Sequence, residues 1–231
     1  MDMARELALQ GEAEGTVILA EEQTKGRGTK GRWWYSAPEM GFYASVILRP
    51  PREEISLLPL VAGVAVREAL VEVYKLEIYL KWPNDLIFQR KKLGGLLLES
   101  EFFGSALSYV ILGVGININH ETKDFPPELR DRAISLRIGL GYRLSPEAWQ
   151  PFLWDKLNFW YHAFLERKDE MIIKEFEAHH LWPRGKMVEV DNGINVYSGR
   201  FVGFNLSGAL LLATPEGLQV LTTGELSQKE A

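Results

Sequence analysis

Residues 25–34, KGRGTKGRWW, gather four cations (Lys25, Arg27, Lys30, Arg32) among Gly26, Gly28 and Gly31, with no acid between them. Glycine lets the backbone take positive φ and come close to a ligand. Exposed N–H groups beside cations form a concave site for anions, phosphates above all. An isolated Gly/Arg/Lys cluster reads most simply as a solvated basic turn. This one follows an apolar, strand-like run at 16–20 and ends on Trp33 and Trp34, which reads as a loop built to hold a nucleotide.

Three further stretches carry candidate chemistry. In KWPND, 81–85, the Trp-Pro pair imposes an extended kink that presents Asn84 and Asp85 at a strand end; an Asx-type turn explains the same residues equally well. In KKLGGLLLE, 91–99, two glycines inside a β pattern mark a bulge or a close backbone approach. The neighbouring lysines read as plain solvated charges or, in the functional reading, one of them points into the cavity of the basic loop, and nothing local decides which. In GVGININ, 113–119, Gly113 and Gly115 strip one strand face of side chains and leave a slot, while Asn117 and Asn119 supply polar ends on that face. A strand packed tightly on a helix is the alternative. The four histidines have no metal-ligand spacing, and no Walker loop, nucleophile elbow or Rossmann fingerprint is present.

The elements that must position these residues follow from periodicity. A short helix is expected at 3–10, strands at 16–22 and 42–48, and a largely buried helix at 53–74, capped by Ser56 or the acids before it. Short strands at 78–80 and 86–88 flank KWPND. Two longer strands, 91–103 and 106–119, form a hairpin about Gly104-Ser105. A polar surface loop spans 120–132, the stretch 133–140 is of mixed signal, and helices are expected at 146–167 and 168–180. Beyond Pro183 come five short strands separated by glycine turns, the pattern of a small β-barrel. The fold class is therefore α+β, a mixed, mostly antiparallel sheet with packed helices plus a small C-terminal barrel. The boundary is expected near Pro183, giving domains 1–182 and 183–231.

Composition narrows the function classes. The chain has 231 residues, of which 46% are hydrophobic, enough for a sizeable core. A formal net charge of −5 argues against general nucleic-acid affinity. The absence of cysteine excludes disulfides, thiolate metal sites and Cys nucleophiles, and fits a reducing cytoplasm. The longest apolar run, 57–66, is far short of the ~20 residues of a membrane span, and the acidic N-terminus is unlike a signal peptide.

In this order, EEQTKGRGTKGRWW, KWPNDL, KKLGGLLLE and GVGININ, followed by GALLL and TTGELS, resemble the biotin–protein ligase family over nearly the whole chain. The resemblance implies a catalytic domain like that of class II aminoacyl-tRNA synthetases and a terminal barrel of the Src-homology-3 type. It implies that biotin and ATP yield biotinyl-5′-AMP and pyrophosphate, and that a lysine of a biotin carboxyl carrier domain then takes the biotinyl group. Lys92 and Arg27 would be catalytic, Lys92 by its charge on biotin's carboxylate and the α-phosphate. Gln23, Gly26, Arg27, Gly28, Thr29, Lys92, Gly95, Gly113 and Gly115 would bind biotin. Lys30, Arg32, Trp34, Asn84, Asp85 and Asn117 would bind ATP and lie near its Mg²⁺, whose ligands the resemblance does not name.

The family's usual Ser-Thr-Asn segment before the first helix has no match here, so its polar biotin contacts are expected to be missing. Thr29-Lys30 stands where the family often carries more arginine. No helix-turn-helix domain precedes the catalytic part, so no sequence-specific DNA binding is expected. A homodimer would follow the family's habit. The alternatives are a lipoate–protein ligase of the same superfamily, a non-catalytic biotin or nucleotide binder, and an RNA-binding module.

Overall fold

The computed structural model describes residues 1–52 and 54–228. Two antiparallel sheets carry the chain. The larger is built from β1 (Val17–Ala20), β2 (Gly41–Leu48), β3 (Ile78–Lys81), β4 (Asp85–Phe88), β5 (Lys91–Phe103) and β6 (Ala106–Asn117). Its spatial order is β1-β2-β6-β5-β4-β3. The β5–β6 hairpin turns at Gly104-Ser105 as expected, with Phe103 facing Ala106. Parallel pairing occurs only as isolated bridges among the described residues, Leu80 with His180 and Lys92 with Ala133.

Side chains alternate across each strand, and the two faces of this sheet have different fates. One face packs under α2 (Leu58–Tyr74), α4 (Gln150–Leu165) and α5 (Asp169–Ala178). Leu80, Leu86, Leu96, Val114, Ile116 and Phe42 supply its core. α2 is apolar around most of its girth because α4 lies on its far side. Toward one end, the opposite face holds a smaller cluster in which Ala4 and Ala8 of α1 (Asp2–Leu9) sit on Ile47, Tyr109 and Ile111. The rest of that face carries the site.

The second sheet comprises β7 (Met187–Asp191), β8 (Val196–Phe204), β9 (Leu210–Thr214), β10 (Gly217–Leu221) and β11 (Glu225–Gln228), ordered β10-β9-β8-β7-β11. This is the small β domain expected from the glycine-punctuated C-terminus. Its inward residues, Val188, Val190, Phe201, Phe204, Leu210 and Leu226, continue the main core without a break. Trp82 binds the two sheets together: it is buried and its indole N–H donates to Gly208 O at 3.0 Å. No helix among the described residues is long and apolar enough to cross a membrane.

Several local expectations change. The start expected at residue 53 lies outside the described residues. The helix begins at Leu58 with Pro59 in its first turn and no side-chain cap. Ser56 instead donates its hydroxyl to Ser207 O at 2.9 Å, a tie to the small domain that local sequence does not encode. The loop 120–132 is not a simple surface loop. His120 is fully buried and stacks on the buried Phe125 at 4.7 Å, which draws the segment inward. The mixed stretch after it contains α3 (Leu136–Leu140), capped by the Ser135 hydroxyl accepting from the Ile138 N–H at 3.1 Å.

Candidate functional site

One row of directly facing residues builds the floor. Tyr43 faces Gly115, Gly115 faces Gly95, and Gly95 faces Asp85. The two central positions have no side chain, so a slot opens between larger neighbours. Gly113 extends it toward α1. A Cβ on Gly115 would stand 2.9 to 3.1 Å from the Trp34 indole, and one on Gly113 would stand 2.9 Å from the Met1 sulfur. Both groups occupy the slot as it stands, leaving a cavity of about 40 Å³. Its lining includes Gln23, Arg27, Gly28, Thr29, Trp34, Asn84, Lys92, Gly95, Gly113 and Gly115.

A β-bulge decides which lysine enters. Leu86 faces Gly94 while Ile87 faces Lys92, so Leu93 is the extra residue. The bulge sends Leu93 into the helix-side core and turns Lys92 onto the slot face. A Cβ on Gly95 would be 3.2 Å from Lys92 Nζ, and that ammonium reaches Asp85 at 2.6 Å. It also lies 5.5 Å from the centroid of the Trp34 ring. Lys91 goes elsewhere, donating to Arg130 O at 3.1 Å. The backbone of Lys92 is fixed by its bridge partners, N–H to Arg132 O at 2.7 Å and C=O from Ile134 N–H at 3.0 Å.

The basic loop covers the slot, but for other reasons than glycine freedom alone. Only Gly31 of its three glycines takes positive φ, and Lys30 itself is left-handed. Gly26 is needed because the Trp34 carbonyl occupies the place of a Cβ. The loop contains no acid, yet acids arrive from elsewhere. Arg27 pairs with Asp2 at 2.7 Å and Glu99 at 3.2 Å; the Asp2 hydrogen bond raises the Arg27 pKa above its ordinary value. Arg32 pairs with Glu225 at 2.8 Å, and Lys30 donates to Asp191 O at 3.1 Å. Those last two contacts hang the loop from the small β domain.

Not every expected residue lines the cavity. Lys30 and Arg32 face the small domain. Gly26 is a packing residue. Asp85 stands one residue beyond, reached through Lys92. Asn117 is buried and donates its amide to Ile134 O at 3.1 Å, so it braces the segment that clamps Lys92. Asn119 is tied to Leu144 through both amide atoms. Asn84 donates to Leu96 O while lining the slot. Sequence reasoning missed Glu99 and Glu225, which neutralise the loop. Glu99 closes the KKLGGLLLE run and Glu225 sits in TTGELS, but their partners are 72 and 193 residues away. Asp85 with its neighbour Asn84 offers oxygens suited to a hard cation that keeps most of its ligands from phosphate and water. No cluster of three or more His, Asp or Glu side chains able to hold a metal by itself occurs among the described residues.

Residues 3–117 match the model of the Biotin/lipoate A/B protein ligase family. The bifunctional ligase/repressor BirA of Bacillus subtilis is 32% identical over 236 residues, covering 96% of this chain and 69% of that protein. The biotin–[acetyl-CoA-carboxylase] ligase of Paracoccus denitrificans is 29% identical over 90% of this chain and 88% of its own length. Among solved structures, the biotin protein ligase of Aquifex aeolicus in complex with biotin and ATP superposes with a TM-score of 0.84 at 32% identity, covering 99% of this chain and 94% of that one. With the slot, its lysine and the covering loop found on one sheet face, these likenesses establish that the chain belongs to the Biotin/lipoate A/B protein ligase family.

Proposed function

We infer that the chain is a biotin–[acetyl-CoA-carboxylase] ligase, which activates biotin with ATP and transfers it to a protein lysine. The observation that carries the residue assignment is the Lys92 ammonium, turned by the bulge into a glycine-floored slot beneath a cationic loop. A carboxylate attacking an α-phosphate brings two anions together, so the site must supply fixed positive charge there. Lys92 does so at the reacting atoms. Arg27 and the backbone of Gly28 and Thr29 do so from above, and Gln23 gives the slot a polar end.

In the first step a biotin carboxylate oxygen bonds the α-phosphorus of ATP and pyrophosphate departs. In the second, the amine of the acceptor lysine attacks the acyl carbon, AMP departs and the amine loses its proton. Trp34 leaves Gly115 when biotin enters and stacks on the adenine. The loop then excludes water from the mixed anhydride. Asn84 and Asp85 face the phosphates, and Asp85 would offer a protein oxygen to Mg²⁺, whose charge would offset that of the phosphates. Asn117 holds the strand segment that fixes Lys92. Lys30 and Arg32 reach ATP by exchanging their small-domain partners for phosphate.

The acceptor is a biotin carboxyl carrier domain. The edge strand β1, whose Val17 and Leu19 are exposed, supports a homodimer by offering a second copy an unpaired strand. The absence of cysteine fits a cytoplasmic setting. ATP–pyrophosphate exchange tests the assignment: it should require biotin and remain at background with lipoate. Exchange supported by lipoate alone would refute it.

A further inference from the structure

The row that builds the slot does not stop at Asp85. Asp85 faces Lys81 on β3, the first residue of KWPND and the one charge of that motif without a role so far. Alternation sends Ile78 and Leu80 into the core and puts Lys81 on the slot side beside Asp85. Its ammonium lies 5.9 Å from the centroid of the Trp182 ring, at the junction with the small domain. Asp85, Glu225, Lys92 and Arg32 are the charges that act on it.

Those neighbours form contact pairs that leave Lys81 out. Asp85 is held by Lys92 at 2.6 Å and Glu225 by Arg32 at 2.8 Å. Among the described residues Lys81 has no ion pair of its own. Burial accordingly pushes its pKa below the ordinary lysine value. A half-buried ammonium without a contact carboxylate is costly unless something else brings negative charge.

We propose that Lys81 is a further catalytic residue of the adenylation step, contacting the β- and γ-phosphates of ATP and stabilising pyrophosphate as it leaves. The proposal rests on the biotin-ligase reading above. In that step a carboxylate oxygen of biotin bonds the α-phosphorus. The bond from that phosphorus to the bridging oxygen breaks, and the bridging oxygen keeps the electron pair. Lys92 stands at the α-phosphate, beside Gly95. Lys81 faces Asp85 at the end of the row away from Gly115, a place for the phosphates beyond the α-phosphate. Charge that accumulates on the departing pyrophosphate meets a fixed cation there.

The test separates the two chemical steps. Lys81→Met keeps an apolar stem against Trp182 and removes only the charge; Lys81→Arg restores it. Biotin-dependent ATP–pyrophosphate exchange should fall about 30- to 300-fold in Lys81→Met, with the KM for ATP and for pyrophosphate raised and biotin binding by calorimetry unchanged. Lys81→Arg should recover exchange to within about tenfold of wild type. Transfer from synthetic biotinyl-5′-AMP to a purified biotin carboxyl carrier domain should be the same in all three proteins, because the leaving group is already gone. Equal loss in both steps would assign Lys81 a structural role and overturn the proposal. Wild-type exchange with Lys81→Met at the wild-type rate would overturn it while leaving the ligase reading intact. No exchange by the wild-type protein would overturn both.

Discussion

The two faces of the six-stranded sheet are made by the same strands and behave oppositely. On the helix side the strands β3 to β6 present Ile78, Leu80, Leu86, Phe88, Leu96, Leu112, Val114 and Ile116, and the surface is filled. On the slot side the same strands offer Gly115, Gly95, Asp85 and Lys92, and the surface is left for a ligand to complete. The helix face is stabilised by area removed from water. The slot face is stabilised by borrowed charge: Asp2 and Glu99 neutralise Arg27, Asp85 neutralises Lys92, and Glu225 neutralises Arg32. A substrate that brings its own anions can displace those pairs, whereas nothing displaces the aliphatic face short of unfolding.

Substitutions on the two faces should therefore fail in different ways. The largest effect on chemistry should come from Lys92→Ala. Removing the cation at the reacting atoms should slow adenylation by about 10²- to 10³-fold, read by single-turnover formation of biotinyl-5′-AMP. The melting temperature should hardly move, since the Lys92–Asp85 pair is partly open to solvent. An equal loss of stability and rate would break the distinction between the faces. Leu86→Ala, on the opposite side of the strand from Asp85, should reverse the pattern. Denaturant unfolding should report a loss of about 2–5 kcal/mol, and the fraction still folded should turn over normally.

Acid should attack the filled parts of the molecule before the slot. His120 and His180 are buried, and burial pushes each imidazole down to about 4. A depressed histidine contributes stability fully present above its unfolded value near 6.5 and lost as pH falls toward the folded value. Unfolding free energy should thus decline between about pH 6.5 and 4, on the order of 3 kcal/mol per ring. His180 is enclosed by Phe176, Trp182, Phe201 and Phe204. His180→Phe should flatten that slope, and an unchanged slope in urea titrations across this range would rule His180 out as a contributor.

Smaller effects sharpen the slot itself. Gly115→Ala places a methyl against Trp34 and should raise the KM for biotin by about tenfold, a cost of about 1–2 kcal/mol, while thermal stability changes little. Glu225→Gln frees Arg32 from an exposed pair. Stability should change by less than about 1 kcal/mol, but limited proteolysis should cut the 25–34 loop faster. A loop as resistant as wild type would show that the small domain does not hold it.

Much of this was legible in the chain before folding. Glycine at 113 and 115 announced a stripped strand face, but the Gly104-Ser105 turn alone would set Gly95 opposite Val114; a bulge between Glu101 and Phe102 shifts the register and brings Gly95 opposite Gly115. The choice between Lys91 and Lys92 was not legible, because it depends on the bulge at Leu93, and the bulge depends on the helix-side core accepting that leucine. The cap expected from Ser56 failed because its hydroxyl is satisfied across the domain junction. Asn117 read as a ligand contact from its parity with the glycines, yet its amide found a backbone carbonyl in a segment whose position local sequence does not set.

By itself the amino-acid sequence determined which residue types could do the chemistry, the alternation that sorts them onto one face, and the turn that joins β5 to β6. Those are local properties, governed by backbone sterics and by the two-residue period of a strand. Only the tertiary structure decided which lysine points inward, which acids hold the loop in its present place, and that Lys81 stands at the end of the same row with no contact ion pair among the described residues. Charge pairing depends on distances of a few ångströms between residues far apart in the chain, and folding alone sets those distances.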